Sequence, residues 1–268
     1  MDKGSGMASS GGTLRIADLT VRYGGLTAVD RVSIDVPSGS FVGLIGPNGA
    51  GKTTFVDAVT GLTPATGGEV WFDGVRVDGR PAYQRSRIGL ARTFQSLELF
   101  EELTVRENLT AAADNPRWYG PFLDLIWPSV SPLVKRRVDE ALEIMNLTDV
   151  ADVVVSELPL GLRKLVTIGR ALSMDPKVAL LDEPAAGLAS YETTELGKAL
   201  RNVVDNGTTI LMIDHDMGLV LGVCDAVHVL EFGVLIASGA PAEIRASERV
   251  LQAYLGAEEE GDLRVGTS

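Results

Sequence analysis

The stretch "FVGLIGPNGAGKTT" (residues 41–54) constrains this chain more than any other. Its first five residues are a short, continuous apolar run, the mark of a strand buried on both faces. Glycines follow at positions 46, 49 and 51, ahead of Lys52, Thr53 and Thr54. Glycine at these places lets the backbone curl so that successive N–H groups converge on one point with no Cβ in the way. From Lys52 the pattern turns helical, and the positive end of that helix faces the same point. Such a cradle holds the phosphates of a nucleotide. Lys52 reaches the outer phosphates, Thr53 is placed for a magnesium ion, and Gly46, Asn48, Gly49, Ala50, Gly51 and Thr54 complete the loop.

A magnesium site beside phosphates needs a carboxylate at the end of a neighbouring strand. "VALLDEP" (178–184) supplies Asp182, and Glu183 follows it. Adjacent strand residues face opposite ways, but Pro184 breaks the strand, so the second carboxylate is expected to turn toward the nucleotide as well. Asp182 would hold the metal through its water shell, and Glu183 would orient and polarise an attacking water. A third apolar strand, "TTILMID", is followed by His215, in reach of a γ-phosphate; His228, mid-strand, reads as a structural residue. Gln95, in "ARTFQSLELF", is a candidate metal ligand that would report nucleotide state to a neighbouring lobe. Tyr23, ending a strand segment, either stacks on adenine or is an ordinary strand aromatic.

The bulk properties narrow the class of partner. The chain has 268 residues, 45% hydrophobic and 22% charged, enough for a sizeable core. Its 24 basic and 36 acidic side chains give a net charge of −12, which repels phosphate backbones, and no basic run interleaved with aromatics offsets it. Nucleic acid is not an expected partner. The single Cys224 rules out an internal disulfide and fits a reducing compartment. No apolar run approaches the roughly 20 residues that span a bilayer.

Strand patterns occupy "LRIADLTVRY" and "VDRVSIDV", on either side of a turn at Gly24 and Gly25, and then "GEVWFDG". Thr104 with Glu107 marks a capping-box helix start, and Ser131 with Pro132 another; the segment around 163–174 is also helical. After it, strand and helix patterns alternate to the end. The economical reading is a β/α core with a helical insertion in its middle, at about 96–174. Residues 1–12 read as a leader or the cut end of a longer chain, 13–256 as the folded domain, and 257–268 as a loose acidic tail.

In this order the pieces resemble an ATP-binding subunit of an ABC transporter across residues 13–256. Within that superfamily the chain is most similar to the branched-chain amino acid uptake type, on "GLARTFQSLELFEELTVRENL", "LLDEPAAGL", "DHDMGLVLGVCDAVHVLEFG" and "ASGAPAEIRASERVLQAYLG". The resemblance implies a P-loop NTPase of the ABC ATPase type: an α/β fold with a β/α core, an N-terminal antiparallel β subdomain and an inserted helical subdomain. It implies ATP and Mg²⁺ as ligands. It further implies a head-to-tail dimer with an identical or paralogous ATPase subunit, membrane permease subunits as partners, an indirect link to a solute-binding protein, and a peripheral position on the cytoplasmic face of the inner membrane.

"LPLGL" (158–162) stands where the superfamily has its LSGGQ signature loop, often spelled LPYGQ in the branched-chain subfamily. Pro159 is thus an inherited spelling, and Gly161 with the following helix still offers N–H groups to a γ-phosphate held by the opposite subunit. Leu160 and Leu162 depart even from the subfamily, and Ala189 stands where these ATPases usually have Asp. A lost hydroxyl bond to a charged phosphate is worth about 1.5–3 kcal/mol. The resemblance therefore implies an active but slow composite site.

The Pro- and aromatic-rich stretch 115–134, with Trp118 and Trp127, is either a permease contact or a loop folded onto its own lobe. Rival functions are the ATPase of another transporter on this scaffold (urea, amide or lipopolysaccharide), a soluble ABC-type ATPase, or a nucleotide sensor without turnover. A soluble type acting on ribosomes or DNA usually has tandem cassettes, long coiled-coil insertions or basic surfaces, and none of these is legible here.

Overall fold

A computed structural model describes residues 11–93, 99–113 and 131–254. The alternating N-terminal pattern folds as expected into an antiparallel sheet. Strands β1 (Leu14–Tyr23), β2 (Leu26–Val36), β4 (Gly67–Phe72) and β5 (Val75–Arg76) lie in the order β2-β1-β4-β5. Strand β2 starts three residues before the apolar alternation, because the Gly24–Gly25 turn pairs Tyr23 directly with Leu26. The buried set of β1 shifts phase from Leu14 and Ile16 to Leu19 and Val21. The cause is a bulge at Asp18, whose φ is +49°.

The second sheet carries the site. Its order is β10-β9-β3-β8-β7-β6, built from β3 (Phe41–Ile45), β6 (Leu90–Arg92), β7 (Val178–Asp182), β8 (Thr209–Ile213), β9 (Ala226–Glu231) and β10 (Val234–Gly239). All neighbours are parallel except β10, which closes a hairpin on the edge. Strands β3, β7 and β8 are buried at every residue. Val42, Leu44, Leu180 and Leu211 enter one core, shared with the antiparallel sheet and helix α1 (Lys52–Thr60). Phe41, Ile45, Leu181 and Met212 enter the other, under the remaining helices. Burial on both faces explains why these strands read as unbroken apolar runs.

The short α2 (Ala82–Arg87) and the three-residue β6 carry too few residues for a legible period and were not expected. Helices α3 (Val105–Ala113), α4 (Pro132–Ile144) and α5 (Leu160–Ser173) pack together through Leu109, Val138, Leu142 and Val166. The capping box forms: Thr104 N donates to Glu107 Oε2 at 2.8 Å and Glu107 N to Thr104 Oγ1 at 3.2 Å. Ser131 is the N-cap of α4 with Pro132 in its first turn, though its hydroxyl makes no capping bond. Helix α5 starts at Leu160, three residues ahead of the expected segment, because Pro159 in extended conformation ends the preceding chain and presets the first turn. After the sheet strands come α6 (Ser190–Asp205), α7 (Met217–Val223) and α8 (Pro241–Ala246).

Gln95, Trp118 and Trp127 lie outside the described residues, as do most of the expected leader and all of the acidic tail. At the start of the described chain, Gly12 N donates to Lys177 O at 3.1 Å, and Gly12 O accepts from Thr209 Oγ1 at 2.9 Å.

Candidate functional site

The carboxyl ends of β3, β7 and β8 gather most of the predicted residues. Strand β3 stops at Ile45 and α1 starts at Lys52, with the loop between them held in shape by two glycines. Gly46 (φ +151°) lies against Leu230, and a Cβ there would collide with the Leu230 carbonyl. Gly51 (φ +97°) lies so close to the Ala28 carbonyl that a Cβ would overlap it, and Gly51 O accepts the first helical bond, from Phe55 N, at 2.9 Å. The loop thus has to be bare backbone on its inner side, and Asn48, Gly49 and Thr53 stay exposed on its outer side. They wall a cleft of about 360 Å³ together with Leu26, Thr27, Ala28, Glu183 and Phe232.

Lys52 is buried, and its ammonium donates to the loop's own carbonyls, Gly46 O at 2.6 Å and Pro47 O at 2.9 Å. Burial pulls its pKa down; the nearby carboxylates of Glu183, Asp182 and Asp214 oppose that shift. A cation held this way fits an anionic ligand in the cleft. The Thr53 hydroxyl and the Asp182 carboxylate offer hard oxygen atoms, the donor type that magnesium takes.

Asp182 ends β7 and is buried, with Oδ2 accepting from Arg92 Nη2 at 2.8 Å. Glu183 does turn toward the cleft, but by a different device from the expected one. Its own backbone is left-handed, with φ +47°, and its N–H donates to Ile213 O at 2.7 Å. The residue leaves the strand by this conformation, which costs a non-glycine residue about 1–3 kcal/mol, and Pro184 follows the turn without making it.

His215 follows β8 and is exposed, with Nδ1 3.6 Å from Asp214 Oδ1; it is not among the residues walling the cleft. Tyr23 is half-exposed at the β1–β2 turn, opposite the cleft residue Leu26 but not itself on the wall. Gly161 lies in the first turn of α5, away from the P-loop cleft. The structure therefore brings Lys52, the loop, Asp182 and Glu183 together and leaves Tyr23, His215 and Gly161 outside that group. His228 has the structural role expected of it, with Nδ1 2.8 Å from Ser238 Oγ.

Residues 29–186, more than half of the chain, match the ABC transporter family, and residues 234–260 match the branched-chain amino acid ATP-binding cassette transporter family. The chain belongs to the ABC transporter ATP-binding family. It is 39% identical to the high-affinity branched-chain amino acid transport ATP-binding protein LivG of Salmonella typhimurium, over 91% of this chain and 97% of that one. It is 34% identical to the lipopolysaccharide export system ATP-binding protein LptB of Escherichia coli, over 91% and 97% of the two chains. Among solved structures, the ADP conformation of an ABC transporter cassette superposes with a TM-score of 0.80 at 30% identity, covering 91% of this chain and 99% of that one.

Several residues of this ABC cassette escape a linear reading. Asp214 is fully buried at the end of β8; Oδ2 accepts from Ala185 N at 3.0 Å and Oδ1 from Asp216 N at 3.0 Å. It thereby fixes the chain after Glu183 and the chain after His215 together. The signal was available, since "LMID" ends an apolar strand in Asp just as "ALLD" does. Lys164, buried on α5, lies 3.4 Å from Glu183 O; its pKa is drawn down by burial and held up by Asp214 and Glu183. It connects helix α5 to the residue after Asp182. The Gly161 turn also touches the start of α6, where Glu192 Oε2 accepts from Ala189 N at 2.9 Å.

Proposed function

We propose that this chain is the ATP-hydrolysing subunit of an ABC importer for branched-chain amino acids. The observation that carries the hydrolytic part is that Glu183, in a strained left-handed turn, walls the same cleft as Lys52 and the phosphate loop. The loop N–H groups and the α1 N-terminus would bind the β- and γ-phosphates, and Lys52 would exchange its loop carbonyls for phosphate oxygens. Thr53 and Asp182, with Gln95, would hold Mg²⁺, which would supply positive charge to offset that of the phosphates. Glu183 would orient the attacking water and draw its proton away. His215, beside Asp214, would contact the γ-phosphate once the cassette closes, and Tyr23 would face the adenine.

Two cassettes, identical or paralogous, would close head to tail, each ATP clamped between one phosphate loop and the Gly161 turn of the other subunit. Closure favoured by ATP would move permease helices through the lobe at about 96–174, with the cassette spanning 13–256 and peripheral on the cytoplasmic face of the membrane. Leu160, Leu162 and Ala189 remove polar groups from the signature and D-loop positions, so turnover is slow. Among the described residues no helix is long and apolar enough to cross a membrane.

The solute reading is supported by the identity to LivG and by the family match at 234–260. Similarity to LptB at 34% identity keeps a lipopolysaccharide system as the second reading. Uptake of labelled leucine, isoleucine and valine in cells deleted for this chain tests both. Restoration by the wild-type chain and failure of Glu183→Gln is the expected result. Unchanged uptake on deletion would refute the solute assignment.

A further inference from the structure

Glu183 does not hold its left-handed turn by itself. A non-glycine residue keeps such a backbone only where its surroundings over-determine it. Two anchors come from β8 and the residue after it. Glu183 N donates to Ile213 O at 2.7 Å, and Ala185 N donates to the buried Asp214 Oδ2 at 3.0 Å. These belong to the sheet that carries Glu183. Another anchor comes from outside it: the ammonium of Lys164 lies 3.4 Å from Glu183 O, the oxygen that also accepts from Ala186 N at 3.2 Å to close the turn. Lys164 stands on α5, which packs with α3 and α4 through Val166, Leu109, Val138 and Leu142. It is therefore a tie between that group of helices and the turn that carries the carboxylate.

The residue type is informative. Lys164 is only 8% exposed, and Ile168, one turn along α5, is buried and apolar. A methionine would fill the same space without the cost of taking an ammonium out of water. Burial draws the Lys164 pKa down, and the Asp214 and Glu183 carboxylates hold it up. What the ammonium adds over a methyl group is a donor to Glu183 O and a positive charge beside those two carboxylates. Lys52 acts on the same two carboxylates from the phosphate loop, so Glu183 answers to one cation of the loop and to one of α5.

We infer that Lys164 is a positioning residue for Glu183: it holds the turn from α5, so that the carboxylate is aimed at the cleft only while α5 is seated against the sheet. It acts through Glu183 and not on the nucleotide. The inference rests on the hydrolytic reading proposed above and names the residue that ties that reading to the neighbouring helices.

The test joins amide hydrogen exchange with steady-state hydrolysis, on the purified full chain and its Lys164→Met and Lys164→Arg variants. In exchange without nucleotide, the peptide covering 182–188 should open about tenfold faster in Lys164→Met, the scale of one lost bond to a charged group. Peptides from β3 and β8 should keep wild-type protection. Lys164→Arg, which retains a cationic donor, should restore most of the protection at the turn. With Mg²⁺ and ATP, kcat of Lys164→Met should fall about tenfold, with KM within about twofold of wild type. Added to Glu183→Gln, Lys164→Met should cause no further loss of the residual rate, because it acts through the group already removed. Wild-type exchange at the turn in Lys164→Met would overturn the inference. So would faster exchange throughout the sheet, the mark of a merely structural residue, or a full further loss in the double variant. Unchanged kcat in Lys164→Met, in a chain that does turn ATP over, would overturn it as well. A wild-type chain that binds ATP without turnover, with the turn still loosened in Lys164→Met, would refute the hydrolytic reading and leave the positioning of Glu183 standing.

Discussion

Arg92 Nη2 lies 2.8 Å from Asp182 Oδ2, with both side chains only 8% exposed. The same guanidinium reaches Asp57 Oδ1 on α1 at 2.5 Å. One arginine therefore joins the helix that starts at Lys52, the strand that leads to Gln95, and the carboxylate proposed for magnesium. Removing one partner of a buried pair costs about 3–5 kcal/mol, because the other charge is left uncompensated. Arg92→Gln should lose about 3 kcal/mol. Asp57→Asn should lose about 1 kcal/mol or less, since Asp57 is partly exposed and Asp182 keeps its arginine. Urea denaturation of the two variants measures the difference. Equal, small losses would mean that Arg92 does not neutralise Asp182.

Gly161, proposed above for the opposite subunit's phosphate, is also closely packed within its own chain. A Cβ at Gly161 would lie 2.5 Å from Glu192 Oε1, and the other oxygen of that carboxylate caps α6 at Ala189 N. Gly161→Ala should push the flexible carboxylate end off Ala189 N and cost about 1 kcal/mol or less, since the lost cap is offset in part by alanine's helix propensity. Glu192→Ala should cost about 1 kcal/mol through the lost cap. Because both changes act on one contact, the double variant should be more stable than the sum predicts by about 1 kcal/mol. Denaturation midpoints of the four proteins decide it, and strict additivity would show that Gly161 and Glu192 are not coupled.

His228 supplies a pH dependence. Burial lowers its pKa from the ordinary 6.5, with the Asp35 carboxylate opposing the shift. The unfolded chain therefore takes up a proton near the ordinary value while the folded chain resists it. This contribution is level above the ordinary pKa and turns destabilising as pH falls below it, until the lowered folded pKa is passed. His228→Gln should flatten that acid limb in thermal unfolding profiles taken between about pH 8 and 5. Superposable profiles for the two proteins would contradict a partly buried, neutral His228.

What could be read from the sequence was what local physics alone decides. The loop from Gly46 to Thr54 was legible because spacing, residue type and the strand–helix context all act within fourteen residues (41–54). Asp182 and Glu183 were legible from an apolar strand ending in acids, although the backbone device at Glu183 was not. The α/β class followed from the difference between the alternating run at 14–36 and the unbroken runs at β3, β7 and β8. Arg92, Lys164 and Glu192 were hidden because their partners lie 90, 19 and 31 positions away. Phe232 looked like the end of a strand until the hairpin register placed it over the cleft. The short β6 and α2 have no period long enough to detect.

The central claim is that this chain energises a membrane permease. It is tested most directly by purifying the tagged full chain from native membranes in mild detergent and identifying what accompanies it. The account predicts a polytopic permease together with a second ATPase subunit, identical or paralogous, and ATP turnover that responds to the permease. A chain that emerges alone, with turnover indifferent to membranes, would contradict it.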